Sequence, residues 1–183
     1  MRDGFITGAL DVTTTELADE LVGGVFSAGP DRLEAAGALG LPQVISVGAL
    51  DMVNFGPSET VPEKFKDRLL YKHNPTITLM RTTPEENVEL GKRLAEKLNQ
   101  ARGPVTLFIP LRGVSLIAVE GQVFHDPVAD EALFEAIRTH IADHVAVREI
   151  DTDINDPAFA TAMADALHAS YGAGSAERER TTA

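Results

Sequence analysis

The fold is decided by TPEENVELGKRLAEKLNQARGPVTLFIPLRGVS, residues 83–115. Its first part has apolar residues at helical spacing, which predicts an amphipathic helix over residues 84–100. Thr83 and Glu86 have the spacing of a capping box, with Pro84 at the first helical position. Residues 105–109 then form an almost uninterrupted apolar run, which is typical of a strand buried on both faces. A helix leading into such a strand predicts an α/β fold with a parallel sheet.

The same alternation continues outward in both directions. Further strands are predicted at residues 5–10, 44–47, 77–80 and 145–150, and further helices at 17–22, 31–39, 132–141 and 158–171. Residues 64–71 are irregular or a short helix, and the alternating run 145–150 favours an edge position. Right-handed crossovers then predict a Rossmann-like or flavodoxin-like layer sandwich with a mostly parallel sheet of about five strands. We expect one domain over residues 1–171 and a disordered tail over 172–183.

Composition narrows the class of protein. The 183 residues favour a single domain with a real core, and the absence of cysteine excludes disulfides and thiolate chemistry. The net charge of -12 argues against nucleic-acid binding, which needs a basic face. No apolar run approaches the roughly 20 residues of a membrane helix, and no secretory signal is visible. We therefore expect a cytoplasmic protein with no nucleic-acid or membrane partner.

A polar cluster directly follows each predicted strand. If the five strands are parallel, all five clusters lie at the carboxyl edge of the sheet, where open α/β sheets bind ligands. The first cluster contains Thr13, Thr14, Thr15 and Glu16. Thr13 and Glu16 fit a capping box. The alternative is an anion site, formed by free amides and hydroxyls at a helix start.

Two further clusters each contain an arginine. Arg81 at a strand end is suited to pair with a carboxylate or phosphate in the cleft. Arg112 follows the most buried strand and could hold an anionic group together with Ser115, or it could pair with a surface acid. The other residues of these clusters are Thr82, Thr83 and Gly113.

Loops supply the remaining candidates. Asn54 and Gly56 suit a turn, and His73 and Asn74 are predicted in another loop. Histidine transfers protons most readily near neutral pH, so His73 is a catalytic candidate, although a lone histidine is more often structural. Asp126, before a proline, is expected to cap a helix. Its alternative is a catalytic role, orienting a histidine or polarising a substrate.

Familiar signatures of metal and nucleotide sites are missing. Residues 151–156 begin like a calcium loop but lack the glycine at its sixth position, and Ala162 occupies the final glutamate position. His140 and His144 are four apart but have no obvious third ligand. There is no phosphate loop, dinucleotide-binding glycine motif or nucleophile elbow. We predict no metal site.

Several runs nevertheless resemble one family. They are LDVTTTELADELVGGVFSAGPDRLEAAG, PQVISVGALDMVNFG, YKHNPTITLMRTTPEE, PLRGVS and INDPAFA. These runs resemble the C-terminal half of the Tm-one-like proteins, a formerly uncharacterised family named after a tomato mosaic virus resistance protein. The resemblance covers about residues 4–171.

The resemblance implies two Rossmann-like subdomains in the family, with ATP binding associated with the N-terminal one. We expect that this chain lacks the N-terminal subdomain and begins inside the C-terminal one, so ATP is not carried over and the cofactor stays unknown. The plant member blocks viral RNA replication by binding the viral replication protein. A missing strand would expose a sheet edge to another chain.

Two hypotheses follow. In the first, an enzyme-like domain binds a small anionic metabolite or nucleotide at the carboxyl edge, with His73 or Asp126 as acid–base candidates. Its ligand-binding residues would be Thr13, Thr14, Thr15, Glu16, Asn54, Gly56, Asn74, Arg81, Thr82, Thr83, Arg112, Gly113 and Ser115. In the second, the domain is a non-catalytic interaction module that works as a homo-oligomer or with an N-terminal partner half.

Overall fold

The computed structural model describes the backbone of residues 1–181 and the side chains of residues 1–171. The strands are β1 (Ala9–Thr13), β2 (Gln43–Gly48), β3 (Met52–Phe55), β4 (Leu70–Asn74), β5 (Ile77–Arg81), β6 (Val105–Pro110) and β7 (Ala146–Ile150). The α-helices are α1 (Glu16–Val22), α2 (Glu34–Ala38), α3 (Pro84–Asn99), α4 (Pro127–His140) and α5 (Pro157–Thr181), and short 3₁₀ turns cover Ser58–Thr60 and Glu63–Phe65. The predicted disorder of residues 172–183 falls outside the described side chains and stays a prediction.

The larger sheet is parallel, in the order β1-β2-β6-β7. This confirms the predicted α/β class, and β7 is an edge strand as its alternating sequence predicts. Strands β2 and β6 are central and buried on both faces because Ile45 and Leu107 face one apolar core while Val44 and Phe108 face another. The sequence therefore locates the middle of the sheet correctly.

A helical layer covers each face of this sheet. Helices α3 and α4 pack together on one face, where Gly91 lets them approach: a Cβ there would lie 2.7 Å from the Cβ of Ala136. Helix α5 covers the other face, and its Phe159 ring meets the Phe108 ring edge-on at 5.9 Å between centroids. Among the described residues, no helix is both long and apolar enough to cross a membrane.

One predicted strand belongs to a different sheet. Residues 77–80 do form a strand, but β5 lies in an antiparallel sheet in the order β3-β5-β4. Strand β4 reaches β5 through two residues, Pro75 and Thr76, and a connection that short joins antiparallel strands. Strand β3 follows β2 after three residues, with Ala49 in the left-handed region at φ 58°, so no crossover helix fits between them. The parallel sheet has four strands among the described residues, which agrees with the predicted mostly parallel sheet of about five strands, and β5 is the predicted strand that lies in the other sheet.

The predicted loops, the start of the first strand and the first capping box also differ from the structure. Asn54 is a residue of β3 rather than a turn, and His73 and Asn74 belong to β4 rather than a loop. The first strand begins at Ala9 rather than at residue 5. The capping box of Thr13 and Glu16 is absent because Thr13 ends β1.

The later caps match their predictions. At the start of α3, Thr83 and Glu86 form both hydrogen bonds of a capping box. Asp126 accepts hydrogen bonds from the amides of Val128 and Ala129. This cap makes α4 begin at Pro127, five residues before the predicted start.

Candidate functional site

The antiparallel sheet and the loop after β6 line an open cavity of about 390 Å³. Its polar lining residues come from three separate elements: Asn54 from β3, His73 and Asn74 from β4, and Ser115 from the loop after β6. Because β3 and this loop follow the carboxyl ends of β2 and β6, the cavity lies at the carboxyl edge of the parallel sheet. The apolar lining residues are Phe26, Met52, Ile77, Leu79, Leu116 and Ile117.

Asp19 fixes one side of this cavity from behind. Its carboxylate accepts hydrogen bonds from the backbone amides of Asn54 at 2.7 Å and Phe26 at 2.8 Å, and from the Nδ2 of Asn54 at 3.2 Å. Burial raises the pKa of Asp19, and the hydrogen bonds from Asn54 and Phe26 act in the opposite direction. Helix α1 is thereby tied to both β3 and the segment that carries Phe26.

Asp51 contacts another lining residue of the cavity, Ser115, from inside the protein. Ser115 Oγ donates to its Oδ2 at 2.7 Å, while its buried Oδ1 has no hydrogen-bond partner among the described side chains and backbone. Burial raises the pKa of Asp51 to about 6, and the Ser115 hydrogen bond and the Arg81 charge partly oppose that rise. A buried oxygen without a partner is uncommon and calls for an explanation.

Arg81 does not reach the cavity. The guanidinium is 4% exposed, and its Nη2 donates to Asp130 Oδ1 at 2.6 Å while its Nε donates to the carbonyl of Phe124 at 2.9 Å. Its Nη1 donates to Thr82 Oγ1, whose own hydroxyl donates to the carbonyl of Leu50. Burial raises the pKa of Asp130 and the charge of Arg81 opposes the rise. The arginine is thus engaged inside the protein and joins β5 to the start of α4.

Arg112 is on the surface. It forms a two-pronged ion pair with Asp151, at 2.6 and 2.7 Å, in which both side chains are about two-thirds exposed. The hydrogen bonds from Arg112 lower the pKa of Asp151. This arrangement matches the surface-acid alternative for Arg112, whereas Ser115 bonds to Asp51 instead.

The threonine cluster also turns inward. Thr14 donates to the carbonyl of Ser46 at 3.1 Å, and Thr15 donates to the carbonyl of Met52 at 3.3 Å while accepting from Asn54 Nδ2 at 3.0 Å. The cavity thus brings together four of the predicted site residues. It does not include Thr13, Thr14, Thr15, Glu16, Gly56, Arg81, Thr82, Thr83, Arg112, Gly113 or Asp126.

Sequence reasoning missed Asp19 and Asp51 as parts of the site. The sequence contains a signal for Asp19, because this residue follows the apolar Leu17 and Ala18 on the predicted helix 17–22. In the structure all three residues are buried. Asp51 lies in the polar cluster after the second predicted strand, but nothing local marks its partner Ser115, 64 residues later. Among the described side chains, no group of His, Asp and Glu is placed to hold a metal ion.

Comparison with known proteins places this chain in a family. Residues 1–171 match the model of the C-terminal domain of an uncharacterised protein family, UPF0261. A UPF0261 protein of Clostridium tetani is 58% identical over 168 residues, which are 91% of this chain and 42% of that protein. A UPF0261 protein of Rhizobium meliloti is 52% identical over 161 residues, which are 87% of this chain and 40% of that protein.

A plant relative is also similar. The ToMV resistance protein Tm-1(GCR237) of Solanum lycopersicum is 42% identical over 169 residues, covering 91% of this chain and 22% of that protein. These matches confirm the resemblance that the sequence motifs indicate. The chain spans about two fifths of the length of the two bacterial relatives.

Proposed function

We propose that this chain, which belongs to the UPF0261 family and matches its C-terminal domain, binds a small organic ligand in the cavity between the antiparallel sheet and the loop after β6. The observation that carries the proposal is the convergence of Asn54, His73, Asn74 and Ser115 on one mostly apolar cavity. A volume of about 390 Å³ lies within the range of roughly 300–1,000 Å³ that is common for small-molecule sites. The position at the carboxyl edge is the usual one in open α/β sheets.

The proposal uses only part of the predicted site. The sequence predicts an anionic metabolite or nucleotide that is held by Arg81, Arg112 and the threonines. Both arginines have carboxylate partners, Asp130 and Asp151, and neither lines the cavity. Of the two catalytic candidates, His73 lines the cavity while Asp126 caps α4. We propose binding and no specific reaction.

A cavity-filling variant tests this function. Leu116 lines the cavity with a largely exposed side chain, so Leu116→Trp should block ligand entry without disturbing the core. Leu39, an exposed leucine just after α2, provides the control variant Leu39→Trp. Ligand-observed NMR with a library of small aromatic and aliphatic compounds should find binders of the wild-type chain and of Leu39→Trp that Leu116→Trp does not bind. A library with no such compound would contradict the proposal.

The outermost strand of the parallel sheet, β1, favours a second function, that of an interaction module. Strand β1 has no partner on its outer side among the described residues, and Phe5 near it is 92% exposed. Leu10 pairs in register with Val44, so it shares the face that α5 covers, yet it stays exposed. Exposed apolar side chains at a sheet edge are typical of a contact with another chain. The partner would be a second copy or the preceding part of a longer family member.

Analytical ultracentrifugation distinguishes this second function. We expect the chain to associate with itself, or with the preceding part of the Clostridium tetani relative, and Leu10→Glu to abolish this association. Val128→Glu, at an exposed apolar position on α4, is the matched control and should leave it unchanged. A chain that stays monomeric in both mixtures would contradict the interaction module.

A further inference from the structure

The cavity has an inner wall, formed by Asn54 and Ser115, that is rich in hydrogen-bond acceptors. Both residues are more than nine-tenths buried. Asn54 Nδ2 donates within the protein, to Thr15 Oγ1 at 3.0 Å and to the carboxylate of Asp19 at 3.2 Å. Since a carboxylate can only accept, these contacts fix the orientation of the amide. Asn54 Oδ1 has no hydrogen-bond donor among the described residues, so an acceptor is what Asn54 offers to a ligand.

Ser115 has the same polarity. Its hydroxyl has one hydrogen, and that hydrogen is donated to Asp51 Oδ2 at 2.7 Å. Only the lone pairs of Ser115 Oγ remain for a molecule in the cavity. The inner wall therefore presents two acceptors and no donor of its own.

The two charged groups that contact the inner wall from behind are carboxylates. Asp19 lies directly behind Asn54, and Asp51 lies directly behind Ser115. The cavity lining contains neither lysine nor arginine. The nearby guanidinium of Arg81 is paired with Asp130. Two buried carboxylates that a cation in the lining does not balance create a negative potential, and low-polarity surroundings strengthen it.

We propose that the ligand carries a primary ammonium group, which donates hydrogen bonds to Asn54 Oδ1 and Ser115 Oγ. Its apolar body lies against the aliphatic side chains of Leu79 and Ile117. The inference rests on the proposed function, since it names the ligand class of the same cavity. It differs from the anionic ligand that the sequence predicts, because the inner wall would repel a carboxylate or phosphate.

The rim complements this polarity. Asn74 Oδ1 accepts from the amide and hydroxyl of Thr76, so its Nδ2 is the group left to donate at the rim. His73, the other polar rim residue, is exposed. A ligand with an amine at one end and an acceptor at the other would enter with the amine first.

A matched series of probes tests the inference. Benzylamine, benzyl alcohol and benzoate share a phenyl ring and carry a cationic, a neutral and an anionic polar group, respectively. Titrations at neutral pH should give a Kd for benzylamine roughly tenfold or more below that for benzyl alcohol, as expected from one additional charge-assisted hydrogen bond. Benzoate should bind most weakly of the three. The same titrations with Leu116→Trp and with its control Leu39→Trp show whether the probes bind in the cavity.

A variant of the inner wall adds a second readout. Ser115→Ala removes one acceptor and should reduce the preference for benzylamine over benzyl alcohol by roughly tenfold. Ser58, whose hydroxyl is close to that of Thr78 outside the cavity, provides the control Ser58→Ala, which should keep the preference. If Ser115→Ala does not fold, the three wild-type affinities still decide the question.

The possible results separate the two proposals. Cavity binding in the order amine, alcohol, carboxylate supports both. Cavity binding in which benzoate equals or exceeds benzylamine overturns the ammonium inference but leaves the binding function standing. Failure of all three probes and of the compound library to bind in the cavity overturns the binding function and the inference with it.

Discussion

Two polar regions each include a residue of the antiparallel sheet, and they differ in how many of their hydrogen-bonding groups have partners. The closed cluster is formed by Arg81, Thr82 and Asp130, and each of these side chains bonds within the protein. The inner wall of the cavity, Asn54 and Ser115, is tied at its back to Asp19 and Asp51 but keeps free acceptors at its front. In a structural network every buried donor and acceptor needs a partner within the protein, whereas a binding site needs groups whose partner is the ligand. Burial and charge alone do not distinguish the two regions.

Breaking the closed cluster should have the largest effect on stability. Arg81→Met leaves Asp130 buried without its partner, so we expect the free energy of unfolding to fall by roughly 3–5 kcal/mol at neutral pH. Urea denaturation measures this loss. The double variant Arg81→Met, Asp130→Leu should recover much of it, because no unpaired charge remains. A loss below about 1 kcal/mol in the single variant, the size typical of a surface pair, would show that the cluster is not structural.

Asp51 should make stability depend on pH. Burial raises its pKa in the folded chain from 3.8 to about 6, so the folded state binds the proton more tightly than the unfolded state does. The resulting stabilisation is complete below the unfolded pKa and is lost as the pH rises through the folded one. Wild type should therefore lose about 2 kcal/mol relative to Asp51→Asn between about pH 4 and pH 7.

The comparison with Asp51→Asn isolates this group. The pKa values of Asp19 and Asp130 are also raised, and both residues are present in each protein, so their contributions cancel. The measurement is a pair of urea denaturation series across that pH range. Parallel stability curves for the two proteins would mean that Asp51 is not desolvated as the structure places it.

The parts of the fold that sequence predicts are those decided by neighbouring residues. The capping box of Thr83 and Glu86 depends on residues three apart, and the helix they begin matches its prediction within one residue at its end. The buried character of β6 follows from its own side chains. Such features need no knowledge of the rest of the chain.

The inner wall depends on residues that are distant in sequence. Asn54 meets Asp19 35 residues away, and Asp51 meets Ser115 64 residues away. The first contact joins helix α1 to the antiparallel sheet, whose short strands give little signal in the sequence, and the second joins the segments that follow β2 and β6. The sequence therefore indicates the edge where a site lies. It offers Arg81 to a ligand and leaves Arg112 between a ligand and a surface acid, whereas the fold pairs these arginines with Asp130 and Asp151.

Gly24 provides a smaller perturbation of the inner wall. A Cβ added at this position would collide with the carboxylate of Asp19 and approach Val53. Gly24→Ala should lower the free energy of unfolding by roughly 1–2 kcal/mol, since overpacking forces buried groups to move. It should also weaken benzylamine binding, because Asp19 orients the amide of Asn54. Unchanged stability and affinity in denaturation and titration experiments would show that the Asp19 contacts adapt freely.

Arg112→Ala should have the smallest effect. The arginine and Asp151 are both largely exposed, and exposed ion pairs contribute little because water and salt screen them. We expect the melting temperature and the cavity affinity for benzylamine to match those of wild type within error, while the pKa of Asp151, followed by NMR, rises toward its ordinary value as the hydrogen bonds from Arg112 disappear. Titrations of wild type and variant with benzylamine measure the cavity affinity, and parallel titrations with inorganic phosphate show whether Arg112 binds an anion. Weaker phosphate binding in the variant would instead restore the anionic site that the sequence predicts and would place ligand recognition on the outer surface of the sheet edge rather than at the inner wall.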